Sequence, residues 1–502
     1  RGLACLSTLV RQIRERHPRA LLLDNGDTLF GSALTHYHQR FTPDTPNPVI
    51  QAMNLMGYDA LTIGNHEFDA DLAVLASAAA QASFPFLAAN IRATGKRFFR
   101  PWVMFERQGV HIAVVGVTTP GIPHWADPES YAGLTFDDPI VPARLAVNEA
   151  RKAGADVIIL TAHLGSGVNS RTGQRIRESS WEGNIGFRLV REVAGIDALI
   201  LGHTHELLAT SVAGIPVLQP KALGTHLARV DLHLEHRDGF WQMRDRQGSL
   251  VPVASETRPD FPIQASAQVL SNLTRRYLDT PLATSPRHVA AMGCAFVDNP
   301  VTDLILQAML EASGAEVALT ALPPGSAQIP SGTVRIRDVH RLYGFDNSIV
   351  CASLTGAQLK NILEHSSRFF HGWASQTSQL QLINSEVSFF NSDLAAGIEY
   401  TIDLRQPIGT RITHLARSGK PLDPKRLVRV AVSNYRFNGG GEYPSFAAGI
   451  DVERLDLEIR SAIIRHLMNR RLTLEADKNW RLLPDEIHEL PRTPPESRQG
   501  PR

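Results

Sequence analysis

Four apolar runs in this chain end in residues able to bind a cation. Leu21-Leu22-Leu23 leads into Asp24-Asn25-Gly26-Asp27, and Ala60-Leu61-Thr62-Ile63 into Gly64-Asn65-His66-Glu67-Phe68-Asp69. Val157-Ile158-Ile159-Leu160 leads through Thr161 and Ala162 to His163, and Ala198-Leu199-Ile200-Leu201 to Gly202-His203-Thr204-His205. In α/β sheets, ligand sites form outside the carboxyl ends of strands. Four such strands side by side bring Asp27, Asn65, His163, His203 and His205 to one rim. Oxygen and imidazole donors without thiolate suit a borderline divalent ion: Mn, Zn, Co or Fe. Two ions sharing one carboxylate form a centre that cleaves phosphoesters.

Within that set the side chains suit different tasks. The Asp27 carboxylate can bridge two cations, one oxygen to each, although alone it reads as a turn or helix-cap residue. Asp24, nearer its strand, suits ordering the turn. Asn65 offers an amide oxygen. Asp69 is close enough in sequence to His66 to orient its imidazole, and a protonated, oriented His donates to a phosphate oxygen or leaving group. His203 and His205 alternate along a segment expected to be extended, which puts both rings on one side, one for each of two neighbouring ions. His163 alone reads as a packing histidine; its place at a strand end makes it a ligand candidate. His36, His38, His111, His124 and His226 lack such context and read as surface or packing residues.

These residues need elements to hold them. Leu3, Leu6, Leu9, Val10 and Ile13 recur at helical spacing. Strand-like runs follow at 20–24, 60–63, 111–117, 156–161, 198–201 and 215–219, with helical stretches at 70–82 and 142–153 between them. The alternation predicts a layered α/β domain over 1–255. Residues 256–296 read as a connecting segment with one helical pattern at 265–277. A second domain is expected over 297–490. It has a helix at 303–312 and a capping box, Thr355 to Gln358, ahead of Leu359, Ile362 and Leu363. Its strands are expected at 348–354, 398–404, 411–416 and 427–433. Residues 491–502 read as a disordered tail.

The second domain has its own candidate chemistry. Asn434-Tyr435-Arg436-Phe437-Asn438-Gly439-Gly440-Gly441 follows a strand. The glycines permit positive φ and close backbone approach, and an aromatic ring beside them can stack on a nucleobase. A flexible hairpin loop fits the same residues. Phe389-Phe390-Asn391 is a second aromatic group outside helical periodicity, suited to stacking or to core packing.

Bulk properties exclude several classes. With 502 residues the chain exceeds one hydrophobic core. Apolar residues at 43% and charged residues at 20% are ordinary for a globular protein. Lys+Arg at 51 against Asp+Glu at 50 gives a net charge of +1, which offers no support for a nucleic-acid polymer as partner. A small anion steered by a local site fits. Cys5, Cys294 and Cys351 form no zinc, redox or disulfide pattern. No apolar run approaches the roughly 18 residues of a membrane span. The chain opens on Arg1 and directly on a helix, so its natural N-terminus is expected to lie upstream.

Taken in order, Asn25-Gly26-Asp27, Gly64-Asn65-His66-Glu67-Phe68-Asp69, the strand-end His163 and Gly202-His203-Thr204-His205 resemble the dinuclear metallophosphoesterases of the 5′-nucleotidase group. Leu342-Tyr343-Gly344-Phe345-Asp346-Asn347, Leu354-Thr355-Gly356-Ala357-Gln358-Leu359-Lys360 and Asn434-Tyr435-Arg436 resemble most closely the bifunctional 2′,3′-cyclic-nucleotide 2′-phosphodiesterase/3′-nucleotidases. The resemblance implies a four-layer αββα metallophosphoesterase-type domain followed by a 5′-nucleotidase C-terminal-type α/β domain. It implies two divalent ions, with Asp27 bridging, Asn65, His163 and His203 around one ion, and His205 on the other. It makes His66 and Asp69 a catalytic dyad and Tyr435 half of an aromatic clamp on the base. Phe390 is the other half, with Asn434 and Gly440 beside the substrate. Small nucleotides are the implied substrates, in a periplasmic or secreted location. The family's first strand ends in Asp-x-His; this chain opens just after that point, on the helix at 3–16, and that strand is expected upstream of Arg1. Without it, a nucleotide-binding protein lacking turnover is the rival reading. Many 5′-nucleotidases carry Asn-Gly-Gly-Gly-x-Arg where this chain has 319–325 with Pro323-Pro324. That favours the cyclic-phosphodiesterase branch over a 5′-nucleotidase or UDP-sugar hydrolase.

Overall fold

A computed structural model describes residues 2–168, 183–374, 378–444, 446–470, 472 and 474–490. The expected tail at 491–502 lies outside the described residues. The chain divides into two compact units, Arg1–Thr274 and Arg275–Arg502.

The first unit is built on two sheets. Strands Leu23–Asp24, Ala60–Thr62 and Phe86–Leu87 form a parallel three-stranded sheet. The other sheet has six strands, in the order Leu207–Val212, Ile215–Pro220, Ala198–Leu201, Val157–His163, Val110–Thr118 and Trp102–Arg107. The period-two alternation of these strands sorts their side chains between layers. Val157 and Ile159 join Ala60, Leu87, Val114 and Ala198 between the sheets. Ile158, Leu160 and Ala162 face outward onto helix Ile140–Lys152 through Ala143, Ala146 and Val147. On the far side, Leu61 and Ile63 pack with Cys5, Leu6 and Val10 of helix Leu3–Arg16 and with Ile50 and Met53 of helix Pro48–Met56. Helix, sheet, sheet, helix is the αββα order. The hairpin His226–Arg237/Phe240–Pro252 extends the inner layer with Val230, Leu232 and Trp241.

Register puts the candidate residues on one rim. Val157–His163 runs parallel to both neighbours, pairing His163 with Thr118 and Ala162 with Leu201. Leu23–Asp24 runs parallel to Ala60–Thr62. A hydrogen bond between the Thr62 and Thr161 hydroxyls (2.6 Å) joins the two sheets just below their carboxyl ends.

The second unit has a five-stranded sheet ordered Asp393–Ala396, Val317–Ala321, Leu427–Ser433, Ser348–Thr355 and Ile450–Glu458. A four-stranded sheet lies beside it, and one continuous core spans the unit. The capping box forms as expected: the Thr355 hydroxyl accepts from Gln358 N, and the Gln358 side chain accepts from Thr355 N. Val317–Ala321 is parallel to Leu427–Ser433 and antiparallel to Asp393–Ala396, with Ala321 opposite Asp393. The end of one strand and the start of the other therefore share an edge, which brings 389–391 near 434–441. The division at 274/275 falls inside the segment expected to connect the domains. Its helical pattern is two helices, Phe261–Ser266 and Gln268–Leu278, and Val289, Ala291, Cys294 and Phe296 belong to the second unit's core.

Candidate active site

Three backbone loops converge at the rim of the first unit. Asp27 leaves its strand with φ of 59°, and His203 and His205 have φ of 67° and 56°. Left-handed backbone at non-glycine residues is costly and concentrates at functional sites. The segment expected to be extended is therefore a tight loop, with Thr204 N donating to Gly202 O at 2.7 Å. What separates the two imidazoles is this coiling, not strand alternation.

One buried carboxylate holds two of the loops. Glu67 is 0% exposed, and its oxygens accept from the backbone N–H groups of Gly64 (2.7 Å), Asp27 (2.8 Å), Thr28 (2.8 Å) and Leu29 (3.2 Å). Gly64 must be glycine here, because a Cβ would lie 2.3 Å from Asp27 Oδ1 and 2.5 Å from Asp27 N. Asp24 orders the turn as expected, accepting from Gly26 N and the Thr28 hydroxyl. The Asn25 amide donates to the carbonyls of Ala162 and Ile200, stitching the Asp27 loop to two strands of the other sheet. Gln219, also 0% exposed, accepts from Glu206 N (2.6 Å) and fixes the His203–His205 loop.

The donor atoms then fall together. His163 Nδ1 donates to the Asn25 carbonyl, which turns Nε2 toward Asp27 Oδ2 (3.0 Å) and Asn65 Oδ1 (3.2 Å). His203 Nδ1 lies 2.8 Å from the same Asn65 oxygen. Donor atoms of Asp27, His163 and His203 all lie within 4.8 Å of one another. With Nδ1 committed to a carbonyl, Nε2 and the two oxygens share one position between them, which a proton fills, as the Asp27 charge favours, or a cation replaces. This donor set fits a divalent ion.

The charges are strongly coupled. Burial opposes ionisation of Asp27, but the facing His163 and His66 outweigh it and hold the carboxyl below its usual range. Burial and the neighbouring His163 push His203 down to about 3, so it stays a neutral donor. Burial likewise lowers His205. His66 points the other way. Its Nδ1 lies 2.7 Å from Asp69 Oδ2, and its backbone N–H donates to Asp27 Oδ1 (2.8 Å). Burial would depress its pKa, yet the charges of Asp69 and Asp27 raise it to about 10. The His66 side chain is 53% exposed, open to an incoming group. His36 and His38 are buried packing residues.

At the shared sheet edge of the second unit, Tyr435 lies in a short helix, Asn434–Phe437, capped by Ser433, instead of a hairpin loop. Its ring lies against Gly440, where a Cβ would come within 2.4 Å of it. Phe390 sits half-buried in the turn Phe389–Asn391, in edge contact with Phe389 and Phe345 at centroid distances of 5.5 and 6.4 Å. The side-chain oxygen of Asn434 accepts from Ser348 N (3.2 Å).

Sequence reasoning assigned no role to Glu67, Asn25, Gln219 or Arg436. Glu67, Asn25 and Arg436 lie inside the quoted motifs, but the partners that give them their roles, and those of Gln219, are set by the fold.

Residues 1–207 match the calcineurin-like phosphoesterase family, and residues 279–448 match the 5′-nucleotidase C-terminal domain. The chain belongs to the calcineurin-like phosphoesterases that carry a 5′-nucleotidase C-terminal domain. It is 28% identical to the trifunctional nucleotide phosphoesterase protein YfkN of Bacillus subtilis, over 96% of this chain and 37% of that protein. It therefore spans little more than a third of that relative's length. It is 27% identical to the 2′,3′-cyclic-nucleotide 2′-phosphodiesterase/3′-nucleotidase of Yersinia enterocolitica, over 96% of this chain and 84% of that one. Among solved structures, a 5′-nucleotidase-type protein of Staphylococcus aureus superposes with a TM-score of 0.83 at 28% identity, covering 95% of this chain and 94% of that one. The calcineurin-like phosphoesterase YfkN of Bacillus subtilis gives 0.51 at 31% identity, covering 55% and 90%.

Proposed function

We propose that this protein hydrolyses nucleotide phosphoesters with the help of two divalent ions, preferring 2′,3′-cyclic nucleotides and then the 3′-nucleotides they yield. The observation that carries this reading is the convergence of Asp27, His163 and His203 donors within 4.8 Å on loops cross-braced by Glu67. Asp27, Asn65, His163 and His203 would hold one ion, and Asp27 with His205 would hold the other. When bound, the ions supply charge neutralisation at phosphorus and acidify water. His66, oriented by Asp69 and carrying its proton at neutral pH, donates to a phosphate oxygen or to the leaving group. Tyr435 and Phe390 hold the base, with Asn434 and Gly440 beside it.

The name of the Yersinia relative and the 319–325 segment, which lacks the Asn-Gly-Gly-Gly-x-Arg pattern, support cyclic and 3′-substrates over 5′-nucleotides. No helix among the described residues is long and apolar enough to cross a membrane. The family resemblance supports a periplasmic or secreted location. Phosphate release from 2′,3′-cyclic AMP, 3′-AMP and 5′-AMP, with Mn, Zn, Co or Fe supplied in turn, tests the reading. A rate for 5′-AMP above those for the other two would reassign the substrate, and equal rates with and without chelator would remove the metal.

A further inference from the structure

Arg436 stands between the two aromatic residues of the second unit. Its side chain is 2% exposed and forms a two-point pair with Asp393, which is equally buried: Nε to Oδ2 and Nη2 to Oδ1, both 2.8 Å. Buried guanidinium–carboxylate forks are directional and costly to leave half-made. Every further donor of the fork goes to the two loops under discussion. Nη2 donates to the Phe390 carbonyl at 2.6 Å. Nη1 donates to Asn391 Oδ1 at 3.2 Å and to the Gly440 carbonyl. The guanidinium carbon lies 5.4 Å from the Tyr435 ring centroid and 4.1 Å from that of Tyr443. The Tyr435 hydroxyl donates in turn to Asn391 Oδ1 (3.4 Å).

The glycines follow from the same arrangement. Gly440 leaves room for the Tyr435 ring. Gly441, with φ of 76°, leaves room for the guanidinium: a Cβ there would lie 2.3 Å from Arg436 Nη1 and 2.6 Å from Asn391 Oδ1. Gly440 and Gly441 thus make room for the Tyr435 ring and the Arg436 guanidinium.

We propose that Arg436, locked by Asp393, is the positioning residue that sets the placement of Phe390 relative to Tyr435 and so the fit of the flat group held by them. It touches no substrate. It fixes one ring through that residue's own carbonyl and the other by lying against its face. This rests on reading Tyr435 and Phe390 as the residues that hold the base. Lysine carries the charge but has one nitrogen and no fork, so it cannot meet Asp393, Asn391 and two carbonyls together.

The test is the KM-against-kcat split of Arg436→Lys on 3′-AMP and on a methyl phosphodiester lacking a base, with Tyr435→Ala as reference. The expected result is a KM for 3′-AMP raised roughly tenfold, the lower range for losing one stacking ring, with kcat and the baseless rate unchanged. Asn391→Ala is the milder variant, removing only the oxygen shared by Arg436 and Tyr435, and should raise the same KM about threefold. If Arg436→Lys fails to fold by near-UV circular dichroism, Asn391→Ala decides by that shift. If Tyr435→Ala raises the KM and neither other variant does, the positioning role is overturned and the base-holding reading stands. If Tyr435→Ala leaves the KM unchanged, both fall.

Discussion

The two units hold their candidate residues by opposite electrostatic means. In the first, a buried anion, Glu67, gathers four backbone N–H groups from the loops bearing Asp27 and Asn65. In the second, a buried cation, Arg436, gathers backbone carbonyls from the loops bearing Phe390 and Gly440. The anion organises a set of lone-pair donors that a cation can complete. The cation organises flat apolar faces with nothing charged left to offer. Each organising charge is used up on backbone and neighbouring side chains, so what remains on offer differs: lone-pair donors in the first unit and flat rings in the second.

The sharpest way to break this contrast is to remove a donor from the first unit. His163→Ala and His203→Ala should each lower bound metal and turnover together, by more than the roughly 10–100-fold that loss of an outer-shell partner costs. Metal analysis beside initial rates checks it. A variant that keeps both ions with full affinity would take that histidine out of the set.

His66→Ala should behave differently, lowering kcat by roughly 10²–10⁴, the range for a general acid or base, with metal content unchanged. Its Nδ1 is committed to Asp69 and its pKa is raised while that of His203 is depressed. Loss of metal along with rate would place His66 among the ligands.

In the second unit, Tyr435→Ala should raise KM for nucleotides roughly 10–100-fold, from about 1–3 kcal/mol of lost stacking. A methyl phosphodiester should be hydrolysed at the unaltered rate. Equal loss on both substrates would make Tyr435 structural.

The smallest effect is in stability against pH. In chelated protein the pKa of His66 rises from 6.5 to about 10 on folding. The folded state therefore binds the proton more tightly, and the stabilisation is complete below about 6.5 and lost as pH climbs toward 10. His66→Asn should flatten the fall in Tm between those limits. An unchanged slope would mean that the His66–Asp69 pair carries no net stabilisation.

The same contrast explains what could be read from sequence. The ligand candidates of the first unit each follow directly on a strand, so an apolar run and its last residues suffice to bring them to one rim. Even there, strand Leu23–Asp24 is shorter than the apolar run, because Leu22 N donates to the Asp59 side chain instead of joining the sheet. The left-handed turns at Asp27, His203 and His205 carry no composition signal, since none is glycine. In the second unit the aromatic residues and glycines were visible, but not their reason. Arg436 and Asp393 are 43 residues apart, and only the sheet order, with Val317–Ala321 between their strands, brings them together. Helix Ala33–Phe41, capped by Ser32 and Thr35, went unread because its apolar positions are sparse and its buried face includes His36 and His38.

Hydrolysis of 2′,3′-cyclic AMP by the protein, measured after chelation and again after restoring Mn, Zn, Co or Fe, tests the central claim most directly. The expected result is no turnover in chelator and release of a 3′-nucleotide, then of adenosine and phosphate, once a divalent ion returns. Tight binding of two ions and of the nucleotide with no turnover under any metal would contradict it, and would make this chain a nucleotide-binding protein on a phosphoesterase fold.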